Sequence, residues 1–430
     1  MTELLTPHPR RDELNDEVHA RPPAPIQAPA RLSSLTLFFD RNNSGQLEAI
    51  IRLARQMGAP EPDTRRAYYT GIIDKLMIRW SLHTEFVRYT FIEPAEDEPD
   101  FTRTALDRIP LDWLQSVPGQ LLVALHAVLL REAQADNSAP SISARLFAGN
   151  ELIGGEIAGG LGCAFTDLRL HPDPRASSGF SRFVLIDRGM EPLQTGRMLQ
   201  RMFEIETYRM LALLSLPEAK QQMPRLDALS NALRSITARM DQPEHDASEL
   251  LHELAAQASA LENLVAQSQY RLSASSAYYN LVERRIAELR EQRFPGLQPF
   301  QEFMEHRLAP AMETCDTVVA RQDRIAARIQ RTSTLLRTRV EVQHEEQNRA
   351  LLASMDTRAA LQLRLQLTVE GLSVGVLTYY AVGLVAYAAK ALKAAGWHLE
   401  PEIVTGWAIP IAAISVWAGV RLARRHLYHT

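Results

Sequence analysis

The period of hydrophobic and polar positions changes twice along this chain. From residue 31 to about residue 190, short apolar runs alternate with turn residues. Leu35–Phe39, Leu76–Trp80, Phe86–Ile92, Leu121–Leu129, Ile142–Phe147, Ala164–Leu170 and Phe183–Ile186 are rich in branched and aromatic side chains and bounded by turn formers, as strands are. Between them, Gln46–Met57 and Thr104–Gln115 read as short helices. Few connections offer the long helical crossover that parallel strands need, so the pattern predicts a mostly antiparallel α+β domain over 31–190.

From about Leu193 the period becomes helical. Leu193–Leu216 forms one helix, Pro217 and Pro224 break the next connection, and Asp246 caps a long helix running to about Phe294. Leu251, Ala258, Val265, Leu272, Tyr279 and Ile286 recur every seven residues, with Leu254, Leu261, Ser268, Ser275, Val282 and Leu289 at the alternate positions of a coiled-coil seam. After a turn at Phe294–Gly296, Met304, Leu308, Ala311, Cys315, Val318, Ile325, Ile329 and Leu336 make a second seam, with Gln322 and Thr332 as its polar members. Two matched seams joined by a turn predict an antiparallel helical hairpin, with Cys315 a core thiol. Beyond Leu336 the seam turns polar at Gln343 and Gln347, and a helix from about Leu308 can continue unbroken into the apolar text ahead, on the order of 120 Å in all at 1.5 Å per residue.

That apolar text comes in two stretches, 371–389 and 403–420, neither carrying a charge. Each approaches the roughly 20 residues that a membrane-spanning helix needs. Lys390, Lys393 and Trp397 lie between them, with Trp407 and Trp417 near the ends of the second, as in a hairpin with interfacial anchors. The fold class expected is therefore an α+β cytoplasmic domain, long coiled-coil helices and a C-terminal two-helix transmembrane hairpin. Its parts are an extended arm over 1–30, the α+β domain over 31–190, a helical stalk over 191–367, the hairpin over 368–422 and a basic tail over 423–430. Arg349, Arg358 and Arg364 before the first span and Arg421, Arg424 and Arg425 after the second place both termini in the cytoplasm. The charged, proline-rich start lacks the apolar core of a secretory signal.

Composition adds three limits. The 430 residues are 46% hydrophobic, enough for two soluble domains and an anchor. A net charge of −4 gives no general pull toward nucleic acid, although the arginine-rich 321–364 segment can meet anionic headgroups. Cys163 and Cys315 are the only cysteines, which supports neither a disulfide framework nor a zinc cluster.

Candidate chemistry is sparse. The run GNELIGGEIAGGLG at 149–162 lacks the Lys and Ser or Thr of a phosphate loop and reads as tight turns between antiparallel strands. Twelve histidines show no metal-ligand spacing and no nucleophile elbow occurs, so neither an enzyme, a metal nor a cofactor is expected. The densest polar cluster is LNDEVHARPP at 14–23, in which Asp16, Glu17, His19 and Arg21 can pair or hold a small ligand while the prolines keep an extended arm against the α+β domain. Gly371 and Gly375 form a GxxxG pair suited to close helix contact. Glu370 stands at the inner mouth of the first span, a position for a pore or interfacial carboxylate. The partners expected are the lipid bilayer, further copies of the chain and a protein bound to the cytoplasmic domain.

LNDEVHARPP, FEIETYRMLALLSLPEA at 203–219, RLAPAMETC at 307–315 and LRLQLTVEGLSVGVLTYY at 363–380 together resemble an uncharacterised family of bacterial membrane-anchored proteins, known only as a domain of unknown function. The resemblance spans nearly the whole chain and implies the bacterial inner membrane, without an activity. The arrangement of cytoplasmic domain, long helices, two spans and basic tail is similar to CorA-type divalent-cation transporters. The Gly-Met-Asn tripeptide of that family is missing from AAKALKAAGWHLEP at 388–401.

Overall fold

The computed structural model describes residues 8–19, 22–39, 42–132, 138–240, 242, 245–396, 398 and 400–427. The chain forms two compact units, one of Met1–Gln242 with His252–Thr332, the other of Pro243–Leu251 with Ser333–Thr430.

The first unit is built on a nine-stranded sheet: β1 Ala30–Phe38, β2 Tyr68–Ile73, β3 Leu76–Leu82, β4 Phe86–Pro94, β5 Gln120–Arg131, β6 Ile153–Ile157, β7 Gly162–Asp173, β8 Ala176–Asp187 and β9 Gln292–Arg293. The order is β2-β3-β4-β1-β5-β8-β7-β6-β9. A strand, a helix and a three-stranded meander occur twice, and the two halves meet at the antiparallel β1–β5 pair. The first half closes antiparallel, β4 on β1. The second closes parallel, β8 on β5, after a crossover that contains a helix and two strands.

One face of the first half carries α2 (Gln46–Met57) and α3 (Leu111–Ser116). Val87, Tyr89 and Phe91 point into that core, where Trp113 donates its indole N–H to the Ala49 carbonyl at 2.8 Å. Alternate strand residues point to opposite faces, so Arg88, Thr90 and Ile92 face the other way, toward α5 (Pro192–Leu213).

The structure corrects several expectations. Ile142–Phe147 is not a strand: α4 spans Ala139–Leu146, because Ile142 and Leu146 sit one helical turn apart and Pro140 occupies the first turn. Thr104–Gln115 is divided into a 3₁₀ turn at Ala105–Arg108 and α3, with Pro110 between them. The amino-terminal arm is not wholly extended, since α1 covers Arg11–His19; among the described residues 8–10 and 22–29 are irregular. Strands β2, β6 and β9 are additions; their Gly, Tyr and charged residues do not show a two-residue apolar alternation.

The helical layer differs in count. Pro217 and Pro224 do not break the chain, and α6 runs Leu216–Met240 through both. Pro217 sits in the first turn, where no intrahelical N–H is required. At Pro224 the lost hydrogen bond is outweighed by a buried row, Leu226, Leu229, Leu233 and Ile236. Helices α7 (Ala247–Leu289) and α9 (Ala309–Ala394), separated by α8 (Phe300–Arg307), bury the predicted seam residues Leu254, Leu261, Leu272, Val282, Leu289, Cys315, Val318 and Ile325. Three helices share one polar layer. Gln322 of α9 donates to Gln222 of α6 at 2.7 Å and to Ser268 of α7 at 3.3 Å, while Gln222 donates to the Leu264 carbonyl at 3.1 Å. A buried, mutually satisfied amide pair fixes the register of the bundle, which a uniformly apolar seam would leave free to slide.

In the second unit the carboxy-terminal part of α9 and α10 (Pro401–Leu427) are long and apolar enough to cross a membrane. Almost none of either apolar window is buried within the chain, so neither is a core helix. Half-buried positions recur every three or four residues in each, as at Val374, Thr378 and Ala381, and at Val404, Ala408 and Ala412.

Candidate functional site

The sheet face beneath α5 is unusually polar. Thr36 meets Thr207 at 3.4 Å, Ser34 meets Thr90 at 3.2 Å, and Ser181 donates to Glu206 at 3.0 Å. Arg209 grips the Glu206 carboxylate through Nε and Nη2 at 2.9 and 2.7 Å. Buried polar groups persist where each has a partner, and most of these do.

Arg88 is the exception. It is 7% exposed, and its Nε and Nη2 have no hydrogen-bond partner among the described residues. Its nearest carboxylate, Glu204, lies 3.9 Å away and already pairs with Arg285 and accepts from Gln200 Nε2 at 2.9 Å. A second guanidinium, Arg79, lines the same cavity. The strand register explains the proximity: Arg79 pairs with Thr90 and Ser81 with Arg88, which puts both arginines on one face of adjacent strands. Burial, and next the charge of Arg88, push the Arg79 pKa below the ordinary arginine range, with Glu204 opposing.

The cavity holds about 60 Å³. Arg79, Arg88, Thr70 and Ser81 form its polar wall, and Ile26, Leu32, Leu199 and Phe203 an apolar one. Gln200 also lines it, with Oε1 buried and unpartnered.

The end of the LNDEVHARPP motif and the segment after it close one side. The Arg79 Nη2 donates to the Pro22 carbonyl, and Ile26 N–H donates to the Pro192 carbonyl at 2.9 Å. Gly196 allows this approach, because a Cβ there would stand 1.8 Å from the Ala24 carbonyl oxygen.

A second constellation lies on the opposite face. Ser33 Oγ is 2.8 Å from His126 Nδ1, and His126 Nε2 is 3.2 Å from Asp173. A neutral ring satisfies both when Nε2–H donates to Asp173 and Nδ1 accepts the serine hydroxyl. Ser33 has no exposed surface and His126 stacks on Phe180 at 4.3 Å, so no substrate reaches the hydroxyl. The set ties β1, β5 and β7 together.

Burial depresses the His126 pKa, with Asp173 opposing. The unfolded ring therefore protonates first. This group's contribution to stability is complete above pH about 6.5 and is lost as pH falls through the lower folded value. Urea midpoints should fall across that window in the native chain and less steeply in His126→Asn. Equal slopes would show that His126 does not carry the effect.

Of the residues singled out from sequence, Glu17 is exposed beside a surface depression shared with His83, Tyr208 and Tyr278. Asp16 and His19 belong to α1, but their side chains lie outside those described, as does the whole of Arg21. Glu370 is half-buried, and Gly371 and Gly375 face open space with no atom within 4 Å of a notional Cβ. Arg79, Arg88, Gln200 and Glu204 are not among the residues singled out from sequence, although two arginines inside otherwise apolar strands are a readable signal. Among the described residues no group of three or more His, Cys, Asp or Glu could hold a metal ion.

No curated protein and no solved structure matches the chain. A family model described as "Protein of unknown function (DUF3422)" matches residues 6–427, and the chain belongs to that family.

Proposed function

We propose that the chain is a membrane-anchored cytoplasmic sensor or scaffold whose sheet domain holds a small ligand or partner. The observation that carries this reading is the pair of long apolar helices left almost entirely unburied within the chain. Apolar surface of that extent is stable in water only when lipid or further copies cover it. The arginines flanking the spans favour cytoplasmic termini at a bacterial inner membrane, and the open Gly371 and Gly375 face favours a homo-oligomer. The unsatisfied Arg88 supports ligand binding in the soluble part, with no nucleic acid among the partners. The reading is non-enzymatic, a choice supported by the sealed Ser33.

The full chain is expected to stay in the membrane pellet through alkaline carbonate washing, and a cysteine at Ala395 to react with a thiol reagent from the periplasmic side. Release by carbonate, or labelling only after lysis, would overturn the anchor or its orientation. A CorA-like oligomeric cation pathway is the alternative. Glu370 favours it, as the only acidic residue between Asp356 and Glu400 and a candidate for a carboxylate ring in an oligomer. It predicts cation uptake by vesicles holding the native chain, which the sensor reading does not.

A further inference from the structure

We infer that the cavity beneath α5 binds a small oxyanion carrying one hydroxyl, either hydrogen phosphate or a short hydroxycarboxylate, held by Arg79 and Arg88 and recognised by Gln200. The inference rests on the sensor reading and names the ligand class for it.

Four observations converge. The Nε and Nη2 atoms that Arg88 leaves unpaired form the side of the guanidinium that offers two parallel N–H donors, the fork that takes two oxygens of a carboxylate or phosphate. Charge points the same way: the cavity places Arg79 and Arg88 against a single carboxylate, Glu204, which Arg285 already neutralises. Buried guanidinium N–H groups without hydrogen-bond partners are costly, and an anion removes the cost.

Gln200 supplies the third observation. Its Nε2 is committed to Glu204, which as a carboxylate only accepts, so the amide cannot turn round and Oε1 remains an acceptor facing no donor. Gln200 Nε2 and Arg88 Nη1 flank the same Glu204 Oε1, at 2.9 and 3.9 Å, and both residues line the cavity. A ligand that satisfies both is an anion with its own O–H. Finally, a volume of about 60 Å³ restricts the site to a small molecule.

The test uses the full chain in detergent at neutral pH and constant ionic strength. Thermal unfolding is followed against phosphate, lactate, sulfate, acetate, a neutral polyol and a small amine. Phosphate or lactate should raise the melting temperature saturably, and whichever does so identifies the source. Sulfate and acetate, lacking a hydroxyl at this pH, should bind at least about tenfold more weakly. Arg88→Met should lose at least about tenfold in affinity, yet melt no lower than the native chain without ligand, because a buried charge with two unsatisfied donors has been removed. A purely structural arginine would behave in the opposite way. Arg88→Lys, which keeps the charge without the fork, should bind weakly, and Gln200→Met should erase the preference for phosphate over sulfate. Equal responses to sulfate and phosphate, or binding unchanged in Arg88→Met, would sink the inference. A response only to the polyol or amine would refute the ligand class, and silence toward every solute would overturn the inference; the anchored reading stands or falls separately, on the carbonate and labelling results.

Discussion

Glu85→Leu is expected to lose about 3–5 kcal/mol of folding stability, the loss typical of breaking a buried ion pair from one side. Glu85 is 2% exposed in the turn between β3 and β4. Its carboxylate accepts from Arg271 at 2.8 and 3.4 Å and from the Tyr278 hydroxyl at 2.9 Å. Both partners lie on α7, seven residues apart and so on one side of that helix. Leucine would leave the Arg271 guanidinium little exposed and without this carboxylate, near the rings of Phe38 and Tyr270, centred 5.2 and 5.5 Å away. Burial, then the bond to Glu85, raise the Tyr278 pKa, so its hydroxyl stays protonated and would also lose its acceptor. Glu85→Gln keeps an acceptor for Tyr278 and should lose about half as much. Urea midpoints are the measurement, and a Glu85→Leu midpoint equal to that of the native chain would mean that the sheet does not depend on this tie to α7.

Gly196→Ala is expected to lose about 3 kcal/mol, at the upper end for overpacking, since the obstacle is backbone rather than a movable side chain. The added methyl would meet the Ala24 carbonyl oxygen at 1.8 Å and its carbon at 3.0 Å. Relief requires the segment around Ala24 to lift from α5, which breaks the hydrogen bond from Ile26 to Pro192 and removes Ile26 from the cavity wall. Stability and the response to oxyanions should therefore fall together. A variant that melts like the native chain and still responds to the same anion would show that this approach is not required.

Much of this architecture is legible in the sequence, for reasons that differ by element. Gln46–Met57 is found with its predicted bounds because its apolar stripe follows the helical period and glycines flank it. The Asp246 cap is present too, its carboxylate accepting from Ser248 N–H at 3.1 Å. Cys315 lies buried in its seam, 3.2 Å from the Ser215 hydroxyl, and burial raises its thiol pKa, as expected of an inert core cysteine. The glycine run holds strand β6 as well as the expected turn between β6 and β7, where Gly159 and Gly160 take positive φ. The prolines mislead. Pro217 and Pro224 look like breaks because local rules weigh the lost N–H and not the buried row on the next three turns, and so they hide a third bundle helix.

The candidate site is illegible for a different reason. In the sequence Arg79 and Arg88 are two basic residues nine positions apart, with nothing to mark them as neighbours. Only the β3–β4 register puts them on one face, and only α5 covers that face. Gln200 and Glu204 join them through one turn of α5, and Pro22 reaches Arg79 across 57 residues.

The sequence by itself determined the features that depend on local periodicity and composition: an α+β part, long helices after it, and two apolar stretches near the carboxy terminus. Each arises from short-range physics, the two-residue alternation of a strand, the 3.6-residue turn of a helix, and the length of uncharged chain that a bilayer accepts. Tertiary structure alone decided which strands pair in parallel, that three helices rather than two share the Gln222–Ser268–Gln322 layer, and that Arg88 is buried without a hydrogen-bond partner for Nε and Nη2. Those are long-range outcomes, set by how separate segments cover one another, and whether a charge is satisfied is a property of its surroundings rather than of the residue.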